Sequence, residues 1–171
     1  EVVSTQDYTD CIATIEALRT SPATESYIRR DGVEDIERQY QLKFRGEYEG
    51  IKLRTMMDLC VVNHNDKTIT PCDLKTSSHF EYDFPLSFMQ YRYFIQAQLY
   101  WEILRQNIIK DDYFKDFKIN NYVFIVVNRN SRNPLAWEYK DTKAITNLTY
   151  GRKSEYICRN WREIVKEMDY Y

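Results

Sequence analysis

Leu53-Arg54-Thr55-Met56-Met57-Asp58-Leu59-Cys60-Val61-Val62 and Thr68-Ile69-Thr70-Pro71-Cys72-Asp73-Leu74-Lys75, joined by Asn63-His64-Asn65-Asp66-Lys67, decide how this chain is read. Both long runs are strand-like, and the joining segment is rich in turn formers that tolerate positive φ. A two-residue turn at Asn65-Asp66 pairs His64 with Lys67. Counting back along that ladder sets Asp58 opposite Asp73 and Met56 opposite Lys75. Side chains alternate along a strand, so Asp73 and Lys75 share a face and Leu74 points the other way. Two carboxylates directly across a ladder repel each other. A bound divalent cation reverses that penalty, which marks the pair as a candidate site.

The chemistry that wants two carboxylates and a lysine on one face is metal-assisted phosphodiester hydrolysis. Mg²⁺ takes hard oxygen ligands, keeps several waters and needs only one or two protein carboxylates. The ion activates a water and neutralises transition-state charge, and a neighbouring lysine adds to that stabilisation. An Asp-x-Lys triplet alone occurs by chance in many proteins, so an ordinary solvated hairpin explains it equally well. Gln96 and Tyr100 in Gln96-Ala97-Gln98-Leu99-Tyr100 lie one turn apart on a helix face. A glutamine inside an aromatic stripe needs hydrogen-bond partners, and a nearby polar site supplies them.

Taken in order, Asp58, then Asp73-Leu74-Lys75, then Gln96 and Tyr100 resemble the PD-(D/E)XK nuclease superfamily, most closely its RecE/RecB-like exonucleases, over roughly residues 34 to 139. One departure is that Cys72 separates Pro71 from Asp73, so the literal Pro-Asp dipeptide is absent. The resemblance implies an α+β fold with a restriction-endonuclease-like core, a central mixed β-sheet flanked by helices. It implies a Mg²⁺-dependent DNA exonuclease, with Mn²⁺ able to substitute, serving phage-type recombination or repair. In that reading Asp58 and Asp73 are metal ligands, the Leu74 carbonyl completes the shell, Lys75 is catalytic, and Gln96 and Tyr100 support substrate. A third acidic ligand is sought before the hairpin: Glu37 is the candidate, with Glu34 and Glu47 behind it. DNA is the expected partner, with a single-strand annealing protein and further copies of the chain as others. An endonuclease on the same fold and a catalytically silent DNA-binding or assembly protein remain as alternatives, although intact Asp58, Asp73 and Lys75 weigh against silence.

At 171 residues the chain reads as one nuclease-type domain, 1–171, large enough for a real core. It opens at Glu1 rather than Met, so an N-terminal segment is expected to be missing. With four Gly and four Pro, linkers and low complexity are not expected. No apolar run approaches the length of a membrane span and no signal peptide is visible, which makes the cytoplasm the default. A net charge of −2 gives no global case for binding DNA, so any footprint must be local. Lys52 and Arg54, assigned to substrate binding, would lie near the site with Lys75 and Arg92, while Arg129, Arg132, Arg152 and Lys153 flank the second half. Cys11, Cys60, Cys72 and Cys158 lack Cys-x-x-Cys spacing and read as buried free thiols rather than zinc ligands. His64 and His79 read as exposed turn residues.

Elsewhere, Tyr8, Cys11, Ile12, Ile15 and Leu18 recur at helical spacing behind Ser4 and Thr5. Ser21-Pro22 opens a second short helix that Asp31-Gly32 ends. Residues 37–49 read as a strand turning at Glu49-Gly50. A long helix runs from Pro85 to about Gln106, residues 121–127 form a buried strand, and residues 135–139 its neighbour. The tail from Gly151 reads as a helix. The resulting order is ααβββαββα.

Overall fold

Glu49 and Gly50 both take positive φ, 49° and 85°, the conformation a two-residue type I′ turn demands. They join β1 (Ile36–Tyr48) to β2 (Ile51–Asn63) in one long antiparallel ladder. The structure, a computed structural model, describes residues 3–29, 35–77, 83–140, 144–149 and 152–170, and for 144–149, 152–156 and 169–170 the backbone course only.

β2 reaches β3 (Thr68–Ser77) through a turn at residues 64–67. Asn63 Nδ2 donates to Asp66 Oδ2 at 2.8 Å, and the Asp66 amide donates to Asn63 Oδ1 at 3.0 Å. The turn is thus one residue longer at each end than expected, and the last ladder pair is Asn63 with Thr68 rather than His64 with Lys67. The register is unchanged, because each end lengthens equally, and the ladder runs on to Leu59 opposite Cys72. There it stops. From Cys72 onward β3 pairs in parallel with β5 (Tyr122–Asn128), from Cys72–Val123 to Ser77–Asn128.

The crossover between these parallel strands carries α3 (Phe84–Gln90), α4 (Tyr93–Ile108) and β4 (Lys118–Ile119), which pairs with the start of β3. β6 (Pro134–Tyr139) adds antiparallel to β5, giving a mixed sheet of order β1-β2-β3-β5-β6. β7 (Ala144–Thr149) and β8 (Arg152–Ile157) form a separate two-stranded ladder. Tyr122, Phe124 and Val126 on one face of β5 pack with Phe84, Phe88, Phe94 and Ala97 of α3 and α4. Val123, Ile125 and Val127 on the other face pack with Leu18 of α1 (Thr5–Thr20) and with Tyr27 and Ile28 of α2 (Glu25–Ile28). The expected mixed sheet flanked by helices is therefore the fold.

Several local expectations change. The single helix from Pro85 divides at Tyr91 and Arg92, where Arg92 takes a left-handed conformation, φ 53°. Of the α1 stripe only Leu18 is buried, while Tyr8, Cys11, Ile12 and Ile15 stay exposed. The second helix begins at Glu25, behind a turn over residues 22–24, and Asp31-Gly32 lies outside the described residues. The tail is a strand before it is a helix, and α5 (Trp161–Tyr170) starts ten residues after Gly151. Among the described residues no helix is long and apolar enough to cross a membrane.

Candidate active site

Where β2 and β3 part company, backbone groups that would have paired across the ladder need other partners. Asp58 answers this: its Oδ2 accepts the Leu74 amide at 3.0 Å, a side chain standing in for the missing strand. Asp58 also lacks a ladder partner on its other side, since the β1–β2 register skips the Gln41–Asp58 position. Gln41 takes φ 52° there, an uncommon left-handed state for a residue with a side chain.

This paired irregularity has a geometric consequence. Below it, Gln39 and Glu37 of β1 stand opposite Cys60 and Val62 of β2, two residues whose side chains pack with Leu104 and Ile108 of α4. Above it, Leu42, Phe44 and Met57 pack against that same α4 cluster. Alternation has thus slipped by one in both strands, so Lys52, Arg54 and Met56 face away from α4 and are exposed. Lys52 and Arg54, expected near the site, therefore lie on the face of β2 turned away from α4.

Asp73 is 3% exposed, and its Oδ2 lies 2.5 Å from Lys75 Nζ. Gln96, in the first turn of α4, donates through Nε2 to Asp73 Oδ1 and accepts from Lys75 Nζ through Oε1 at 3.2 Å. The three side chains close a ring on the α4 side of the sheet. Lys75 Nζ also stands 4.6 Å over the Tyr93 ring, a cation–π contact. Burial holds the Asp73 carboxyl above its ordinary range; Lys75 and Gln96 pull against that, and the Asp58 charge adds to it. Tyr100 sits one turn beyond Gln96, its phenol raised first by burial and then by the charge of Asp73. Tyr122 is fully buried beneath, its phenol raised well above the usual value by burial and by Asp73, its hydroxyl without a protein partner among the described residues.

Asp58, Asp73, Lys75, Gln96 and Tyr100 are thus brought together. Glu37 is not. It stands opposite Val62, four residues along β2 from Asp58, where its carboxylate meets His64 Nε2 at 3.2 Å and the Gln39 amide. Glu47 lies opposite Lys52, near the far end of the arm, and Glu34 and His79 lie outside the described residues. His64 is not a free turn residue, since its Nδ1 is also 3.0 Å from the Tyr113 hydroxyl. Arg92 and Arg129 are exposed, Arg132 is held by Asp10, and the side chains of Arg152 and Lys153 are outside the description. Three cysteines are buried as expected, and Cys11 is exposed.

Among the described residues no three His, Cys, Asp or Glu side chains gather as a metal cluster. The donors available are two carboxylates and the Leu74 carbonyl, all hard oxygen. Asp73 Oδ2 accepts no aligned hydrogen bond, despite the ammonium beside it, and so keeps lone-pair capacity. That donor set fits Mg²⁺, which completes its shell with water.

Neither protein families nor curated proteins match the sequence. A solved structure does match the fold: the crystal structure of a "Putative exonuclease" from Eubacterium rectale, 17% identical, with a TM-score of 0.52. The match covers 80% of this chain but 46% of that one, so this chain spans under half the length of its structural neighbour. The likeness shows a shared fold.

Sequence reading missed Tyr93, Tyr122 and Gln41. Tyr93 and Tyr122 carried a signal, since Tyr93 precedes Gln96 by three positions on α4 and Tyr122 opens the buried strand. Gln41 carried none.

Proposed function

We propose that this chain is a metal-dependent deoxyribonuclease that hydrolyses phosphodiester bonds at DNA ends. The observation that carries the reading is Asp73. A buried carboxylate is costly unless compensated, and this one is flanked by Lys75, Gln96 and a second acid, Asp58. The Asp58 charge beside it raises that cost further, and a cation held between the two acids would relieve it.

Asp58 and Asp73, with the Leu74 carbonyl, would hold Mg²⁺ or Mn²⁺. When bound, the ion supplies charge neutralisation on the phosphate and a more acidic water. Lys75 offers the remaining ammonium protons to a phosphate oxygen or to the attacking water. Gln96 fixes Asp73 and Lys75 relative to each other, and Tyr93 keeps the ammonium over its ring. Tyr100 sets its hydroxyl within reach of the same charges. A role in phage-type recombination, with an annealing protein as partner, is the biological setting this chemistry suits.

Incubation with linear duplex and covalently closed circular DNA, with Mg²⁺ and then with a chelator, tests the reading. Degradation of linear DNA alone, abolished by the chelator, is expected. Nicking of circles would make it an endonuclease. Inert linear DNA, with or without metal, would sink the nuclease reading.

A further inference from the structure

The β1–β2 arm carries a basic face that no described helix covers. Beyond the irregularity at Gln41 and Asp58, the residues facing away from α4 are Lys43, Arg45 and Glu47 on β1 and Lys52, Arg54 and Met56 on β2, all exposed. In register, Lys43 meets Met56, Arg45 meets Arg54 and Glu47 meets Lys52. Four cations against one carboxylate make a local excess of three positive charges on a chain whose net charge is −2. None of the four cations makes an ion pair with a described carboxylate.

Arg45 directly opposite Arg54 is the informative pair. Like charges across a ladder destabilise it, and neither arginine makes an ion pair with a described carboxylate. Such a pair is retained at no cost if an anion lies over it. We infer that this face binds the phosphate backbone of duplex DNA, on the side of the sheet turned away from the Asp73 ring. Cations two residues apart on a strand are spaced by about 6.7 Å, which lays a row of positive charge along the arm. The strip begins at Met56, two residues along β2 from Asp58, and reaches Lys52 about 20 Å from Asp58, on the face of the sheet opposite the Asp73–Lys75–Gln96 ring. Its only exposed apolar side chain is Met56, too little to anchor a lipid surface, so charge complementarity favours nucleic acid.

The surface rests on the nuclease reading for its occupant, but its test does not require turnover. Binding of a 20-base-pair duplex is measured with chelator present across a range of salt, for wild type and for Lys43→Gln/Arg45→Gln. Loss of two phosphate contacts should reduce the slope of log affinity against log salt by about 1.8, with the melting temperature unchanged or raised because the facing arginines are relieved. Lys43→Arg/Arg45→Lys should restore the wild-type slope. An unchanged slope in the neutralised variant overturns the inference, as does an equal loss in the charge-conserving control. Tighter binding to phosphatidylserine vesicles than to DNA at the same salt also overturns it. Any of these can occur while linear DNA is still degraded, and a retained slope effect with inert DNA would instead overturn the nuclease reading alone.

Discussion

Replacing Lys75 with methionine removes the cation beside a carboxylate that is 4% exposed in its side chain, while keeping most of the volume. Breaking a buried ion pair from one side costs about 3–5 kcal/mol, because the surviving charge is left uncompensated. Two features reduce that here. The Lys75 side chain is 21% exposed, and Gln96 still donates to Asp73. About 2 kcal/mol at neutral pH is the expected loss. The pH dependence follows from Asp73, whose carboxyl is already raised in the folded protein by burial, with Lys75 opposing. Without Lys75 it rises further. A carboxyl raised in the folded state binds more protons there than in the unfolded chain, so stability falls as pH climbs from the unfolded value through the folded one. The Lys75→Met deficit should therefore be large at pH 8 and shrink towards pH 4.5. Urea unfolding at both pH values measures it, and Asp73→Asn/Lys75→Met should recover most of the loss at pH 8. A deficit equal at both pH values, or one that persists in the double variant, would show that Lys75 matters only for packing and would remove the electrostatic account of this site.

Added Mg²⁺ should raise the melting temperature of the wild type, corresponding to about 2.7 kcal/mol at a hundredfold excess over the dissociation constant, and Asp58→Asn should abolish the shift in the same thermal scan. Gln96→Leu strips a donor from a buried carboxylate, so it should cost about 1–2 kcal/mol in urea unfolding and lower nuclease turnover; unchanged stability would return Gln96 to a filler of the helix face. Tyr100→Phe, which deletes only a hydroxyl, should leave the melt intact and reduce turnover by roughly tenfold, one hydrogen bond's worth in the transition state. Gly46→Ala would set a Cβ 2.8 Å from Gln106 Oε1 and 3.0 Å from Ile103 Cγ1, and should destabilise by about 1–3 kcal/mol; a neutral result would mean α4 seats less tightly on β1 than its contacts imply.

The hairpin register was legible because Asn63 to Lys67 supply turn chemistry, so lengthening the turn by one residue on each side left the pairs from Asn63–Thr68 to Leu59–Cys72 intact; the expected Asp58–Asp73 and Met56–Lys75 pairs do not form, because β3 leaves β2 there to pair with β5. The grouping of Asp73, Lys75 and Gln96 was legible from order and spacing. What escaped was whatever depended on a broken rule. Gln41 and Asp58 leave the pleat together, with neither glycine nor proline to announce it, and the faces of Lys52 and Arg54 change as a result. Arg92 divides a helix whose sequence shows no breaker, by taking a left-handed conformation. Glu37 fitted the acidic pattern, but its fate was decided by His64, a residue twenty-seven positions away whose ring lies beside its carboxylate.

The hydrogen bond from the Leu74 amide to Asp58 makes one carboxylate answer to two masters. While Asp58 holds that amide, the end of β3 is tethered across a fork in the sheet; a cation drawing on the same carboxylate competes for its electron density without needing any movement of the chain. Occupancy would then be readable at the backbone itself, in how quickly a single proton on Leu74 trades with solvent. The fork would serve as its own gauge, reporting from inside the sheet on events at its rim.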